Sequence, residues 1–88
     1  MSDTEAKFEA AVAAVKNLDE RPDNETLLEL YAFYKQATAG DVSGDKPGFF
    51  DFVGLSKYEA WERLQGMPAD EAREQYITLV TSLGGKLD

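Results

Sequence analysis

The chain has no cysteine and no histidine. Without thiols, disulfides and thiolate nucleophiles are excluded. Without imidazole, the usual general base and the usual transition-metal ligand are missing, so serine and threonine hydroxyls have no such group to activate them. Cations are scarce: 9 lysines and arginines stand against 17 aspartates and glutamates, a formal charge of −8. Nucleic acid would be repelled at long range by such a chain. No apolar run approaches the roughly 20 residues that span a bilayer. The start, Met1-Ser2-Asp3-Thr4-Glu5, lacks the basic and apolar segments of a secretory signal. These absences lead to the expectation of a cytoplasmic protein with no stable membrane insertion and no nucleic-acid partner. Repeats, low-complexity tracts and β-type alternation are also missing.

What is present is enough for one core. Eighty-eight residues make one domain, residues 1–88, and 43% hydrophobic content sets the chain apart from disordered acidic segments. The initiator methionine and the late double glycine are the expected ends of a stand-alone chain. No large apolar surplus demands a dimer, so a monomer is expected. Carboxylates are many, yet none has the spacing of an acid–base pair. Asp41, Asp45 and Asp51 share a loop without the pattern of a calcium site. No catalytic residue, metal ligand or cofactor is expected, and the chain reads as a non-enzyme.

The apolar residues fall into four helical stripes. Phe8, Ala11, Val12, Val15 and Leu18 define a first helix over about Thr4 to Asn17, with Ser2 and Glu5 as a capping box. Pro22 ends the connector and Asp23 is a suitable N-cap for a second helix, about Asn24 to Ala39, stopped by Gly40. That helix is apolar on more than one side, as expected of one flanked by two partners or by a partner and a ligand. Gly40 to Phe52 is a long loop in which Val42, Phe49, Phe50 and Phe52 are too apolar for a solvated linker, so it is expected to pack over the helices. A short third helix, about Leu55 to Gln65, carries Tyr58, Trp61 and Leu64 on one face, and Gly66 stops it. The fourth starts near Pro68, with Asp70 and Glu71 favourable to its dipole and Ala72, Tyr76, Leu79, Val80 and Leu83 as its stripe. The stripes specify an all-α four-helix bundle; periodicity alone leaves its topology open.

The stretch from Leu30 to Asp41 holds the chemistry. On a helix, Tyr31, Tyr34 and Lys35 share one face, which puts two phenols and an ammonium within mutual reach. Two half-buried tyrosines beside a solvated lysine would look the same. The alternative is a ligand platform, with a ring to stack on, a hydroxyl to donate and a cation for an anion. The order Tyr31-x-x-Tyr34-Lys35-Gln36-Ala37-Thr38-x-Gly40-Asp41 resembles the signature of the acyl-CoA-binding protein family. Pro47-Gly48-Phe49-Phe50-Asp51-Phe52-Val53-Gly54 and Lys57-Tyr58-Glu59-Ala60-Trp61 agree with it, in the right order and over nearly the whole chain.

The resemblance implies an up-down-down-up bundle with a long crossover between helices two and three. It implies a non-enzymatic carrier that binds medium- to long-chain acyl-CoA and delivers it to acyl-CoA-using enzymes. By position, Lys35 and Lys57 match lysines at the 3′-phosphate of coenzyme A, with the Tyr31 hydroxyl assisting. Tyr34 matches a tyrosine at the adenine, Tyr76 one that closes the site, and Lys16 a peripheral basic position. Phe8, Val12, Leu27 and Leu28 fall where the family lines its acyl groove. Val53 and Leu55 stand where many members carry lysine, and Tyr58 where tryptophan is usual, so the rim is less basic here. Arg21 joins the lysines as a candidate for the local positive cluster. The competing reading is a helical interaction module whose Tyr31/Tyr34 groove takes a partner's amphipathic helix.

Overall fold

The computed structural model describes residues 3–87. Four α-helices account for its regular structure: α1 (Asp3–Ala14), α2 (Asn24–Ala39), α3 (Phe52–Glu62) and α4 (Ala69–Ser82). A 3₁₀ turn, Val15–Asn17, extends α1 to the end expected from its stripe. The expected capping box involves Ser2, which lies outside the described residues.

The caps explain where the helices begin. The Asp23 carboxylate accepts the Thr26 backbone N–H at 2.8 Å, starting α2 at Asn24. This bond holds the Asp23 carboxyl below the usual range. Gly40, at φ 83°, reverses the chain after Ala39, a turn that favours glycine. Helix α3 starts three residues earlier than expected, because Asp51 caps it by accepting the Gly54 N–H at 3.0 Å. A Cβ at Gly54 would collide with that carboxylate, so the glycine makes room for the cap. Phe52 and Val53 thereby become first-turn helical residues. At its other end α3 stops at Glu62, and the expected last turn closes instead through tighter bonds, Leu64 N–H to Trp61 O and Gln65 N–H to Glu62 O.

The helices run up-down-down-up, with α2 and α3 parallel across the crossover. Helix α2 packs against both α4 and α3, while α1 packs against α4. This two-sided packing accounts for the spread of apolar residues around α2. Phe8 and Ala11 from α1, Leu30 and Ala37 from α2, and Ala72, Tyr76 and Val80 from α4 form the buried cluster. The molecule is shallow, about 15 Å along its shortest axis, so both flanks of α2 stay close to the surface.

The crossover divides into two parts. Its first part is tied down: the Trp61 indole N–H donates to Gly40 O at 2.8 Å, the Tyr58 hydroxyl donates to Gly44 O, and Lys46 pairs with Glu59 and Glu62. The Glu62 and Glu59 carboxylates raise the Lys46 pKa. Its second part corrects the expectation of a packed loop. Val42 is half-buried, but Phe49, Phe50 and Phe52 are exposed. With Phe52 committed to the first turn of α3 and the loop held by its earlier residues, these rings have no helix surface to cover.

Candidate functional site

Helices α2 and α3 bring two cation–aromatic pairs together. Tyr31 and Lys35 are one turn apart on α2, and Lys57 and Trp61 are one turn apart on α3. The Lys57 Nζ lies 5.3 Å from the Tyr31 ring centre, and the Lys35 Nζ lies 4.9 Å from the Trp61 ring. Neither ammonium pairs with a carboxylate among the described residues, whereas Lys46 pairs with two at 3.5 and 3.6 Å. A cation over an aromatic face gains about 0.5–1 kcal/mol when exposed. A hydrogen bond to a charged oxyanion is worth about 1.5–3 kcal/mol. The two lysines are therefore held in place by the rings, yet remain available to an anion.

Trp61, tied to Gly40 O through its indole N–H, lies next to a polar knot at the end of α2. Gln36 is almost fully buried; its amide N–H₂ donates to Asp41 Oδ1 and to Met67 O, both at 2.9 Å. The same Asp41 oxygen accepts the Gly66 N–H at 2.8 Å. That backbone bond, and then the Gln36 amide, lower the Asp41 pKa. The knot joins the end of α2 to the α3–α4 connector, and so fixes α3 against the face that carries Tyr31 and Lys35.

Of the concavities along α2, two take in most of the residues singled out above; a third, about 290 Å³, is lined by Glu25, Glu29 and Arg63 among its charged residues. One of the two, about 400 Å³, is lined by Leu27 and Leu28 from α2, Phe52, Val53, Ser56 and Lys57 from α3, and Arg21 and Asn24. Its walls are apolar and its charged members are both cations. The other, about 430 Å³, lies between α1 and α2, with Phe8, Val12, Tyr34 and Ala37 beside Glu5, Glu9 and Arg73. Both fall within the size range of small-ligand sites. The four residues matched to an acyl groove are thus divided: Leu27 and Leu28 line the first concavity, Phe8 and Val12 the second.

Behind the second concavity lies an aromatic trio. The Phe8 ring centre is 6.0 Å from Tyr34 and 5.1 Å from Tyr76, which it meets edge-on, and Tyr34 is 6.4 Å from Tyr76. Tyr76 is buried, and that burial, with Tyr34 opposite, raises its hydroxyl pKa above 10.0. Tyr34 keeps one part of its surface in solvent, at 40% exposure.

The face expected of α2 is therefore shared out among neighbours. Tyr31 meets Lys57, Lys35 meets Trp61, and Tyr34 turns towards Phe8 and Tyr76. Lys16 stands exposed on the 3₁₀ turn, on a different element from the α2–α3 cluster, and pairs with no carboxylate among the described residues. Sequence reasoning missed Arg73, which lies one turn before Tyr76 and is held by Asp70. It also missed the Gln36–Asp41 knot and the part played by Phe52, beside the rim residue Val53, in the cationic concavity. The pair Asp51 and Gly54, an N-cap followed by a residue without a Cβ, was the available signal for the last of these.

Comparison with known proteins bears on the family and the fold. The family model described as acyl CoA binding protein matches residues 5–80. The acyl-CoA-binding protein homolog 1 of Caenorhabditis elegans is 46% identical over 79 residues, which is 90% of this chain and 92% of that protein. Enoyl-CoA delta isomerase 2 of Rattus norvegicus is 48% identical over 83 residues; these are 94% of this chain, but the chain spans only 21% of the isomerase. The crystal structure of Oryza sativa acyl-CoA-binding protein 2 superposes with a TM-score of 0.87 at 38% identity, covering 91% of this chain and 87% of that one. With the family model running through all four helices and a relative matched over nine-tenths of its own length, this chain belongs to the acyl-CoA-binding protein family.

Proposed function

We propose that this protein binds medium- to long-chain acyl-CoA thioesters, holds them as an intracellular pool and delivers them to acyl-CoA-using enzymes. The observation that supports this most is a pair of lysines in an acidic chain. Lys35 and Lys57 pair with no carboxylate among the described residues, and Lys57 stands on the rim of the apolar concavity lined by Leu27 and Leu28. An amphipathic anion suits such a site: phosphates need cations, and an alkyl chain needs apolar walls. The cations beside the groove favour a phosphate-bearing ligand over a partner's amphipathic helix, and the family membership disfavours that reading too.

In this reading Lys35 and Lys57 leave their aromatic rings to meet the 3′-phosphate, with the Tyr31 hydroxyl donating. The exposed part of the Tyr34 ring takes the adenine. Phe8, stacked against Tyr34, sets that ring's orientation, and Val12 packs beside it. Tyr76 closes the site from α4, and Lys16 adds long-range attraction for the head group. Leu27 and Leu28, with Phe52 and Val53, take the tail. Burial is worth about 0.8 kcal/mol per methylene, so roughly 14 of them supply on the order of 11 kcal/mol before ordering costs. Chain burial then dominates affinity and the head group sets specificity.

No bond is made or broken in this role, which suits a chain without histidine or cysteine. We assign it to a single domain acting as a monomer in the cytoplasm. Among the described residues, no helix is long and apolar enough to cross a membrane. Titration calorimetry with palmitoyl-CoA, and with CoA and palmitate separately, tests the proposal. Tight one-to-one binding of the ester with much weaker binding of each half is expected; equal affinities for CoA and the ester would overturn it.

A further inference from the structure

The second part of the crossover carries an apolar patch of which the ligand site uses only the Phe52 and Val53 edge and leaves Phe49 and Phe50 without a role. Phe49 is 68% exposed, Phe50 86%, Phe52 75% and Val53 67%. The Phe49 and Phe50 ring centres lie 4.3 Å apart, so the two phenyls project as one unit. They are not on a slack segment. Trp61, Tyr58 and Lys46 tether the loop just before them, and the Asp51 cap anchors it just after. The carboxylates nearest the patch along the chain and on α3 are occupied, Asp51 by the Gly54 N–H and Glu59 and Glu62 by Lys46; Asp45 remains. Phe52 and Val53 also line the concavity that holds Lys57 and Arg21, so the patch is continuous with two cations.

We propose that Phe49, Phe50, Phe52 and Val53 form a wedge that inserts into the interface of a phospholipid bilayer. Area argues for lipid over protein. An aromatic side chain buries about 150–250 Å², so these exposures leave a patch on the order of 500 Å². A stable protein interface takes about 800 Å² from each partner. Two copies joined through this patch fall short of that, and each carries a charge of −8. A lipid surface demands no matching shape. It accepts rings among the acyl chains while Lys57 and Arg21 reach the phosphate layer. Insertion is driven by the apolar residues, so a neutral phosphatidylcholine surface suffices. It places the mouth of the Leu27–Leu28 concavity against the leaflet. The docking stands apart from the acyl-CoA reading; its use in loading or unloading the ester rests on that reading.

The test is sedimentation of the whole ligand-free protein with phosphatidylcholine vesicles, comparing wild type with Phe49→Ser/Phe50→Ser. Wild-type binding is expected, with the bound fraction falling at least about tenfold in the variant, as loss of two inserted phenyl groups requires. The variant should keep the wild-type melting curve, since neither ring packs in the core. Phe50→Trp supplies a second readout: its added fluorescence should be quenched by brominated phosphatidylcholine. No vesicle binding by the wild type, or equal binding by the double variant, would overturn the proposal. So would binding confined to anionic vesicles and abolished by salt, or self-association that the double variant removes. Because vesicles and protein carry no ester, failure here leaves the calorimetric test of acyl-CoA binding separate.

Discussion

The two flanks of α2 use similar residues to opposite ends. On the α1 and α4 side, Phe8, Tyr34 and Tyr76 press against one another, and the neighbouring concavity carries Glu5, Glu9 and Arg73. On the α3 side, Tyr31 and Trp61 each lie under an ammonium that pairs with no carboxylate among the described residues, and the concavity beside Leu27 and Leu28 carries only cations among its charged residues. Aromatic residues alone therefore do not mark the ligand face. What distinguishes the two is whether a ring meets other rings, which leaves only the outer part of Tyr34 for a ligand, or a cation, which leaves charge to be answered from outside. Lysines repeat the lesson. Lys46, shared by two carboxylates, fastens a loop, whereas Lys35 and Lys57 have no such duty.

The largest effect should come from breaking the closed side. Phe8→Ala removes a ring from the core and is expected to cost about 3–5 kcal/mol in urea unfolding. If stability held while ester binding vanished, Phe8 would belong to the ligand face and the contrast would fail. Next, Lys35→Ala should weaken CoA and ester binding at least about tenfold, the loss of one charge-assisted contact, with an unchanged thermal melt. Wild-type affinity in calorimetry would return Lys35 to the role of a solvated surface residue. Leu28→Ala should lower ester affinity by about five- to tenfold and leave CoA affinity alone, since it touches the tail and not the phosphate. Arg73→Ala should leave both affinities within about twofold, well under one contact's worth, because Asp70 already holds its guanidinium; a tenfold loss would make Arg73 a contact of the head group beside Tyr34.

Protonation sharpens the same contrast. The Tyr76 pKa is raised in the folded state, so the neutral phenol stabilises the fold below pH 10.0. That contribution is lost as pH rises through the folded value. Alkaline unfolding followed by circular dichroism should begin at higher pH in Tyr76→Phe. Asp23 and Asp41 have the opposite sign. Their pKa values are lowered below 3.8, so their contribution is present above that value and is lost as pH falls through the folded ones. Asp41→Ala should flatten the acid limb more than Asp45→Ala, because Asp41 alone of the two holds the knot to Gln36 and Gly66.

The helices were legible because their signals are local. Asp23 before an apolar stripe and Gly40 after it state a start and a stop within one stretch of chain, and α2 runs between them. Ala72, Tyr76 and Val80, four residues apart, are the buried face of α4 as their spacing predicts. The misplaced start of α3 had a local signal too, since Asp51 needs the missing side chain of Gly54 to cap it. The motif from Tyr31 to Asp41 likewise points to the family before any coordinate is known.

What the sequence determined by itself is the inventory: four amphipathic helices, an acidic chain with few cations, no thiol or imidazole chemistry, and the α2 motif. Tertiary structure decided which partner each side chain meets. Lys35, Lys46 and Lys57 are the same residue in the same acidic chain, and nothing local says which will find a carboxylate. Lys46 finds two because α3 places Glu59 and Glu62 beneath its loop, while Lys35 and Lys57 face Trp61 and Tyr31 across the α2–α3 seam. The division of the four groove candidates, and the exposure of Phe49 and Phe50, arise in the same way. Helix periodicity is set by backbone geometry within a few residues, but pairing across helices depends on packing that brings distant residues together.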